Sequence, residues 1–269
     1  LYAAVESKKH LFRPKEGRSL GARIQQVLGR VLVCADCAHG LGAVKNGKMA
    51  GQWADFSDYS FHAVKNFTTA EGGSLTWKLE EVDNEKIYHQ LQLFSLHGQS
   101  KDALAKTKLG AWEYDILGPW YKCNMTDIMG ALGIAQFARY PDMLKRRREL
   151  IGIYDTVLKP LGVEVLPHFT EEHRSSGHLY MTRIPGIGLK ERQEIIEELA
   201  EQGISANVHY KPLPMHTAYK RLGFQIEDYP NSYKKFENEI TLPLHTKLTD
   251  EEAAYVLEKY SRILTGYLK

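Results

Sequence analysis

Short apolar runs and amphipathic stretches alternate along this chain. "VLVCAD", residues 31–36, is brief and apolar, which predicts a strand buried on both faces as in a parallel sheet. "GLGAVKNGKMAG" (40–51) carries the Gly and Asn spacing of turns. "ADFSDYSFH" (54–62) alternates with aromatic residues and reads as a second strand, and "GGSLTWKL" (72–79) reads as a third, leaving a glycine pair directly. "DNEKIYHQLQLFSLHG" (83–98) opens on Asp83 or Asn84 as a cap and sets Ile87, Leu91 and Phe94 at helical spacing.

One long helical pattern covers 125–162, and Pro141 is expected to kink or split it. That proline marks the expected domain boundary, with 1–140 as a large domain and 141–269 as a linking helix and smaller domain. Beyond it, "VEVLPH" (163–168), "SGHLYMTRI" (176–184) and "ISANVHY" (204–210) read as strands. Residues 189–203 read as a helix with Gly203 just past its end, and 249–268 as a final helix opened by a capping box, Thr249 with Glu252. Leu1 falls within a helical pattern that has no capping signal before it. Strands alternating with helices predict α/β architecture in both parts.

Composition leaves this picture standing and removes several function classes. The 269 residues are 43% hydrophobic and 25% charged, and the net charge of +2 gives no case for a nucleic-acid partner. The densest basic run, "KRRRE" (145–149), lies on a predicted helix and is expected to be a solvated face. No apolar stretch nears the roughly 18 residues a membrane helix needs. "LYAAVESKKH" lacks the order of a secretory signal. Three cysteines argue for a reducing compartment, so a soluble cytoplasmic protein is expected.

The candidate chemistry gathers after the first two strands. Lys65 follows an apolar strand and precedes Gly72 and Gly73, which permit close backbone approach or positive φ. A lysine that loses hydration there can serve as a covalent nucleophile. Asp36 ends the first strand, where open α/β sheets place ligands, and a buried carboxylate there needs a cationic or donor partner. His39, three residues on, projects near the same side if the chain turns helical. A rival reading makes Cys34 and Cys37, with His39 and His62, half a zinc site or a redox pair. No second ligand pair stands at metal spacing, and two buried cysteines are the plainer account.

"ADCAHGLGA", "FSDYSFHAVKNFTTAEGG" and "NMTDIMGALG" occur in that order and resemble the DegT-type (DegT/DnrJ/StrS) sugar aminotransferases. These are pyridoxal-phosphate (PLP) enzymes of fold type I, with a mostly parallel sheet in the large domain and a smaller α/β C-terminal domain. The resemblance implies that Lys65 forms the internal aldimine (a Schiff base), that Asp36 pairs with the pyridine nitrogen, and that His39 packs beside the ring. It implies that Ser60 bonds the phosphate and that Asn124 reaches the phosphate of a neighbouring subunit's cofactor, hence a homodimer with shared sites. His209, in "NVHY", matches a loop that approaches the sugar, although "KPLPM" makes the segment before His216 longer than in the family. The implied reaction moves an amino group from glutamate to a keto group on a nucleotide-linked deoxysugar. Family members begin upstream of the point matching Leu1, with a Gly-Thr phosphate turn and a stacking aromatic residue. The alternative function is a cofactor-poor relative acting as an interaction or regulatory subunit. A dehydratase variant of the family carries histidine where this chain has Lys65.

Overall fold

The structure, a computed structural model, describes residues 1–100 and 113–268. In chain order the first part holds α1 (Tyr2–Ser7), α2 (Leu20–Leu28), β1 (Cys34–Asp36), β2 (Val44–Lys45), β3 (Lys48–Met49), β4 (Phe56–Ser60), β5 (Gly73–Trp77), α3 (Asn84–Ser95) and α4 (Asp127–Leu158). The second part holds β6 (Glu164–Val165), β7 (His173–Arg174), β8 (Tyr180–Arg183), α5 (Leu189–Glu201), α6 (Thr217–Arg221), α7 (Pro230–Phe236), β9 (Glu239–Leu242) and α8 (Asp250–Leu264). Two compact units result, Leu1–Leu41 with Lys48–Ala138, and Gly42–Gly47 with Arg139–Lys269.

In the first unit β4 is the central strand. It pairs in parallel with β1, with Asp36 opposite Asp58, and antiparallel with β5, with Ser60 opposite Gly73. One face of this sheet rests on Leu79, Val82 and Ile87, joined by Ile24, Val27 and Leu28 from α2. Asp83 caps α3 by accepting from the Glu85 and Lys86 N–H groups at 3.1 and 3.4 Å. The helix buries Ile87 and Leu93, while Phe94 stays exposed and meets the Trp120 ring edge-on.

β1 departs from expectation. Cys34 and Asp36 are exposed, because β1 pairs within its sheet with β4 alone and its faces lack the cover given to a central strand. The expected buried cysteine at 34 is therefore solvent-facing, and Asp36 is an exposed carboxylate rather than a buried one.

The start of β4 is fixed by a buried ion pair. Asp55 accepts from both terminal nitrogens of Arg30 at 2.7 and 2.8 Å, from the Tyr2 hydroxyl at 2.6 Å and from the Val33 N–H at 2.8 Å. Burial alone would raise the Asp55 pKa, but these donors, led by Arg30, hold it below the usual carboxylate value.

The glycine pair behaves as its sequence predicts. Gly72 has φ +143°, and a Cβ on Gly73 would lie 2.6 Å from the Tyr59 carbonyl oxygen, which is part of the ladder. Gly73→Ala should therefore cost about 1–3 kcal/mol by overpacking, seen as a lower melting midpoint. An unchanged midpoint would mean that the β4–β5 ladder yields more easily than this contact implies.

α4 runs unbroken through Pro141 instead of splitting there. Pro141 is exposed, so the carbonyl one turn back that loses its donor can bond water. The basic run is not a solvated face either. Arg147 is buried and donates to the carbonyls of Gly177, His178 and Leu244 at 2.9, 3.2 and 3.1 Å, and burial pushes its pKa down to about 10. Arg146 donates to Asp250 Oδ1 at 2.7 Å and to the Leu248 carbonyl at 2.6 Å.

The second unit has the larger core. The order β6-β8-β9 is antiparallel throughout, and α5 and α8 supply Ile195, Leu199, Val256, Tyr260 and Leu264 to its packing. α8 opens on the expected reciprocal cap, Glu252 N–H to Thr249 Oγ1 at 3.1 Å and Thr249 N–H to Glu252 Oε2 at 2.8 Å. Residues 204–210 do not form the expected strand. They make a single antiparallel bridge, Asn207 with Thr241 on the open edge of β9, and no longer ladder. β9 itself, "EITL", escapes periodicity because all four residues are buried and a glutamate opens it.

Candidate active site

β1 and β4 run parallel and end side by side, so whatever follows them projects from one edge of the sheet. β1 ends at Asp36 and is followed by the turn carrying His39. β4 ends at Ser60 and is followed by the turn carrying Lys65. The structure brings Lys65 and His39 together across 26 residues, with Lys65 Nζ 2.8 Å from His39 Nε2. An ammonium has donors only, so Lys65 donates and His39 carries its ring proton on Nδ1. Lys65 is half-buried, held in a turn by its own N–H to the His62 carbonyl at 2.9 Å.

Asp36 Oδ1 accepts from the Ala38 N–H at 2.9 Å, which shapes the turn. Its Oδ2 has no partner among the described residues. Ser60 Oγ accepts from the His62 N–H at 3.3 Å, which leaves its hydroxyl proton available to a ligand. Gly72 lies under this turn, and a Cβ there would come within 2.7 Å of Thr69 Oγ1 and 2.8 Å of Met125 Sδ. Asn124, next to Met125, is exposed, and its Oδ1 accepts from Lys122 Nζ.

His209 lies in the second unit. Its Nδ1 is 2.9 Å from Thr241 Oγ1, its backbone N–H donates to Glu239 Oε2 at 2.8 Å, and burial lowers its pKa. The sequence singles out neither Glu239 nor Thr241. Both belong to the strand it leaves unpredicted, and only long-range pairing brings them to His209.

The redox-pair reading of Cys34 and Cys37 is excluded by geometry. The strand is extended from Cys34, and the Cys37 N–H continues its ladder to the Asp58 carbonyl at 2.9 Å. Three residues at roughly 3.3 Å each put the two Cα atoms about 10 Å apart, beyond the ~7 Å limit of a disulfide. Desolvation, with smaller contributions from nearby carboxylates, also raises both thiol pKa values, against a Ser57 hydrogen bond that lowers that of Cys37. Among the described residues no group of three or more His, Cys, Asp or Glu side chains is placed to hold a metal ion. Also among them, no helix is long and apolar enough to cross a membrane.

Lysine, imidazole, carboxylate and hydroxyl stand at the carboxyl ends of adjacent parallel strands, where α/β proteins place their ligands. The chain belongs to the DegT/DnrJ/EryC1/StrS aminotransferase family, whose sequence profile matches residues 26–261. It is 51% identical to Spr1654 of Streptococcus pneumoniae, named as a candidate sugar aminotransferase and solved in its PMP form. That match has TM-score 0.91 and covers 98% of this chain and 65% of the other. The PLP form of the same protein matches with TM-score 0.89 at 48% identity over all of this chain and 65% of the other. Among curated proteins, the spore coat polysaccharide biosynthesis protein SpsC of Bacillus subtilis is 32% identical, over 88% of this chain and 60% of its own. The UDP-4-amino-4,6-dideoxy-N-acetyl-beta-L-altrosamine transaminase of Campylobacter jejuni is 30% identical, over 85% of this chain and 57% of its own. The chain thus spans about three fifths of the length of these curated relatives.

The side chains present suit PLP. Asp36 Oδ2 offers an acceptor to a ring N–H, Ser60 a donor to a phosphate, Lys65 a primary amine to an aldehyde, and His39 a flat ring beside that amine.

Proposed function

We propose that this protein is a PLP-dependent aminotransferase that moves an amino group from glutamate to a keto group of a nucleotide-linked deoxysugar. The observation that carries the reading is the Lys65–His39 contact at 2.8 Å, placed where two parallel strands end and where Asp36 and Ser60 also stand. The names of the relatives support a sugar as the acceptor, and that of the Campylobacter protein a UDP-linked one.

Bound PLP would supply an aldehyde for covalent capture and a protonated ring that draws off the electron pair of a cleaved Cα–H bond. Asp36 would hold the ring N–H of that group and so keep the ring protonated. Ser60 donates its hydroxyl proton to the phosphate. His39 buttresses the amine and covers one side of the site. Lys65 has two duties. It anchors the cofactor covalently, and once released its Nζ takes the proton from the donor's Cα and later delivers a proton to the sugar carbon that receives nitrogen. His209 contacts the sugar. A second copy of the chain completes the site through Asn124, in a homodimer whose two sites are shared.

The test is optical. Purified protein given PLP should show a visible absorbance band that borohydride bleaches, and the Lys65→Ala variant should lack it. Protein that stays colourless with PLP in excess would sink this reading.

A further inference from the structure

β9 and the segment that crosses it hold a buried polar chain of three residues, all within the second unit. Glu239 is 2% exposed and Thr241 is 5% exposed. Thr241 Oγ1 lies 2.5 Å from Glu239 Oε1, and His209 Nδ1 lies 2.9 Å from Thr241 Oγ1. Glu239 Oε2 meanwhile accepts the His209 N–H at 2.8 Å. The backbone fixes this arrangement from both sides. The Asn207 N–H donates to the Thr241 carbonyl at 3.1 Å, and the Thr241 N–H to the Asn207 carbonyl at 2.7 Å.

The direction of the protons follows from counting them. An ionised carboxylate only accepts, so the single Thr241 hydroxyl proton goes to Glu239 Oε1. Thr241 Oγ1 is then left with lone pairs alone, and His209 Nδ1 must donate to it. A neutral imidazole with its proton on Nδ1 has a bare Nε2. Burial pushes the His209 pKa down, which keeps the ring neutral. Burial leaves the Glu239 pKa raised on balance, with its bonds from Thr241 and the His209 N–H, and the positive charges of Arg192 and Arg183, limiting the rise. Its ionised form is the one that its two accepted bonds, at 2.5 and 2.8 Å, describe. His209 Nε2 has no partner among the described residues.

We infer that Glu239 and Thr241 are positioning residues that lock His209 as the Nδ1–H tautomer, so that Nε2 meets the substrate as a hydrogen-bond acceptor. Such a histidine selects a hydroxyl or amide N–H on the sugar and rejects an acceptor such as a keto oxygen at that point. That last step rests on the proposed sugar-binding role of His209; the tautomer itself does not.

Nitrogen-15 spectroscopy of histidine-labelled protein near neutral pH reads the tautomer directly. In the wild type, His209 should show a protonated Nδ1 and an unprotonated Nε2. Glu239→Gln keeps the shape but lets an amide N–H donate to Thr241, so the hydroxyl can turn towards Nδ1 and the Nε2–H form should gain. Thr241→Val should erase the preference, and Thr241→Ser should restore it. A wild-type ring protonated on Nε2, or Glu239→Gln and Thr241→Val variants that leave the two nitrogen signals unchanged, would overturn the inference. A colourless protein with the expected tautomer would instead remove the aminotransferase reading and leave this one standing.

Discussion

On the proposed mechanism Lys65→Arg is expected to abolish transamination, with a loss of at least about 10³-fold, because one side chain would hold two duties. The guanidinium keeps the positive charge and can still donate to His39. It does not form the bond to a carbonyl carbon, and it does not give up its proton in the working pH range, so it cannot shuttle one. Single-turnover absorbance with glutamate separates the two losses, since it follows the donor half-reaction alone. Lys65→Ala with added methylamine adds a second measurement, in which a free amine can return part of the proton transfer without the tether. His39→Asn should lose less, because His39 touches the amine at 2.8 Å and carries no bond to the substrate. Turnover in Lys65→Arg within about tenfold of wild type, a difference of only ~1.4 kcal/mol in barrier, would remove Lys65 from the chemistry.

Asp55→Asn should produce the largest loss of stability of any single change in the first unit, about 3–5 kcal/mol. The carboxylate is 3% exposed and Arg30 is 7% exposed, so the substitution leaves a buried guanidinium with only the part-exposed Glu6 carboxylate, 2.8 Å from its Nε, as counter-charge. Tyr2→Phe removes one bond to the same carboxylate and should cost only about 1 kcal/mol. The Asp55 pKa is lowered in the fold, so its contribution is complete above the unfolded carboxylate value near ~4 and fades as pH falls through the lower folded value. Thermal melts of wild type and Asp55→Asn should therefore differ at neutral pH and converge in acid. A constant gap at all pH values would mean that the charge is irrelevant and that only packing was lost. The ion pair acts through position: it ties Arg30 and Val33 to the start of β4, which ends at Ser60 just before the turn carrying Lys65.

Local chemistry was legible from order and spacing. Asp36 and Lys65 follow two apolar runs, so an apolar–polar pattern was enough to place them after strands, whereas Ser60 came only from the family resemblance. The need for Gly72 and Gly73 was legible for the same reason, since a tight return beside a strand excludes a Cβ. Caps at Asp83 and Thr249 depend on neighbours two or three residues away and were equally readable.

What required the tertiary structure involves partners far apart in the chain. Burial of Arg147 depends on carbonyls at 177, 178 and 244, so a basic run that locally resembles a solvated face is in part an internal brace. Continuity of α4 depends on Pro141 facing water, which no local pattern states. Exposure of Cys34 and Asp36 depends on β1 pairing on one side only. The tie from His209 to Thr241 spans 32 residues and exists because a four-residue buried strand, with neither alternation nor helical period, crosses that segment. Sequence alone thus determined which residues could do amine chemistry and where the strands that carry them end, because strand period and turn composition act over a few residues. Only the fold decided which of those groups are buried, which nitrogen of His209 holds its proton, and what holds each in place, because burial and long-range pairing belong to the packed chain.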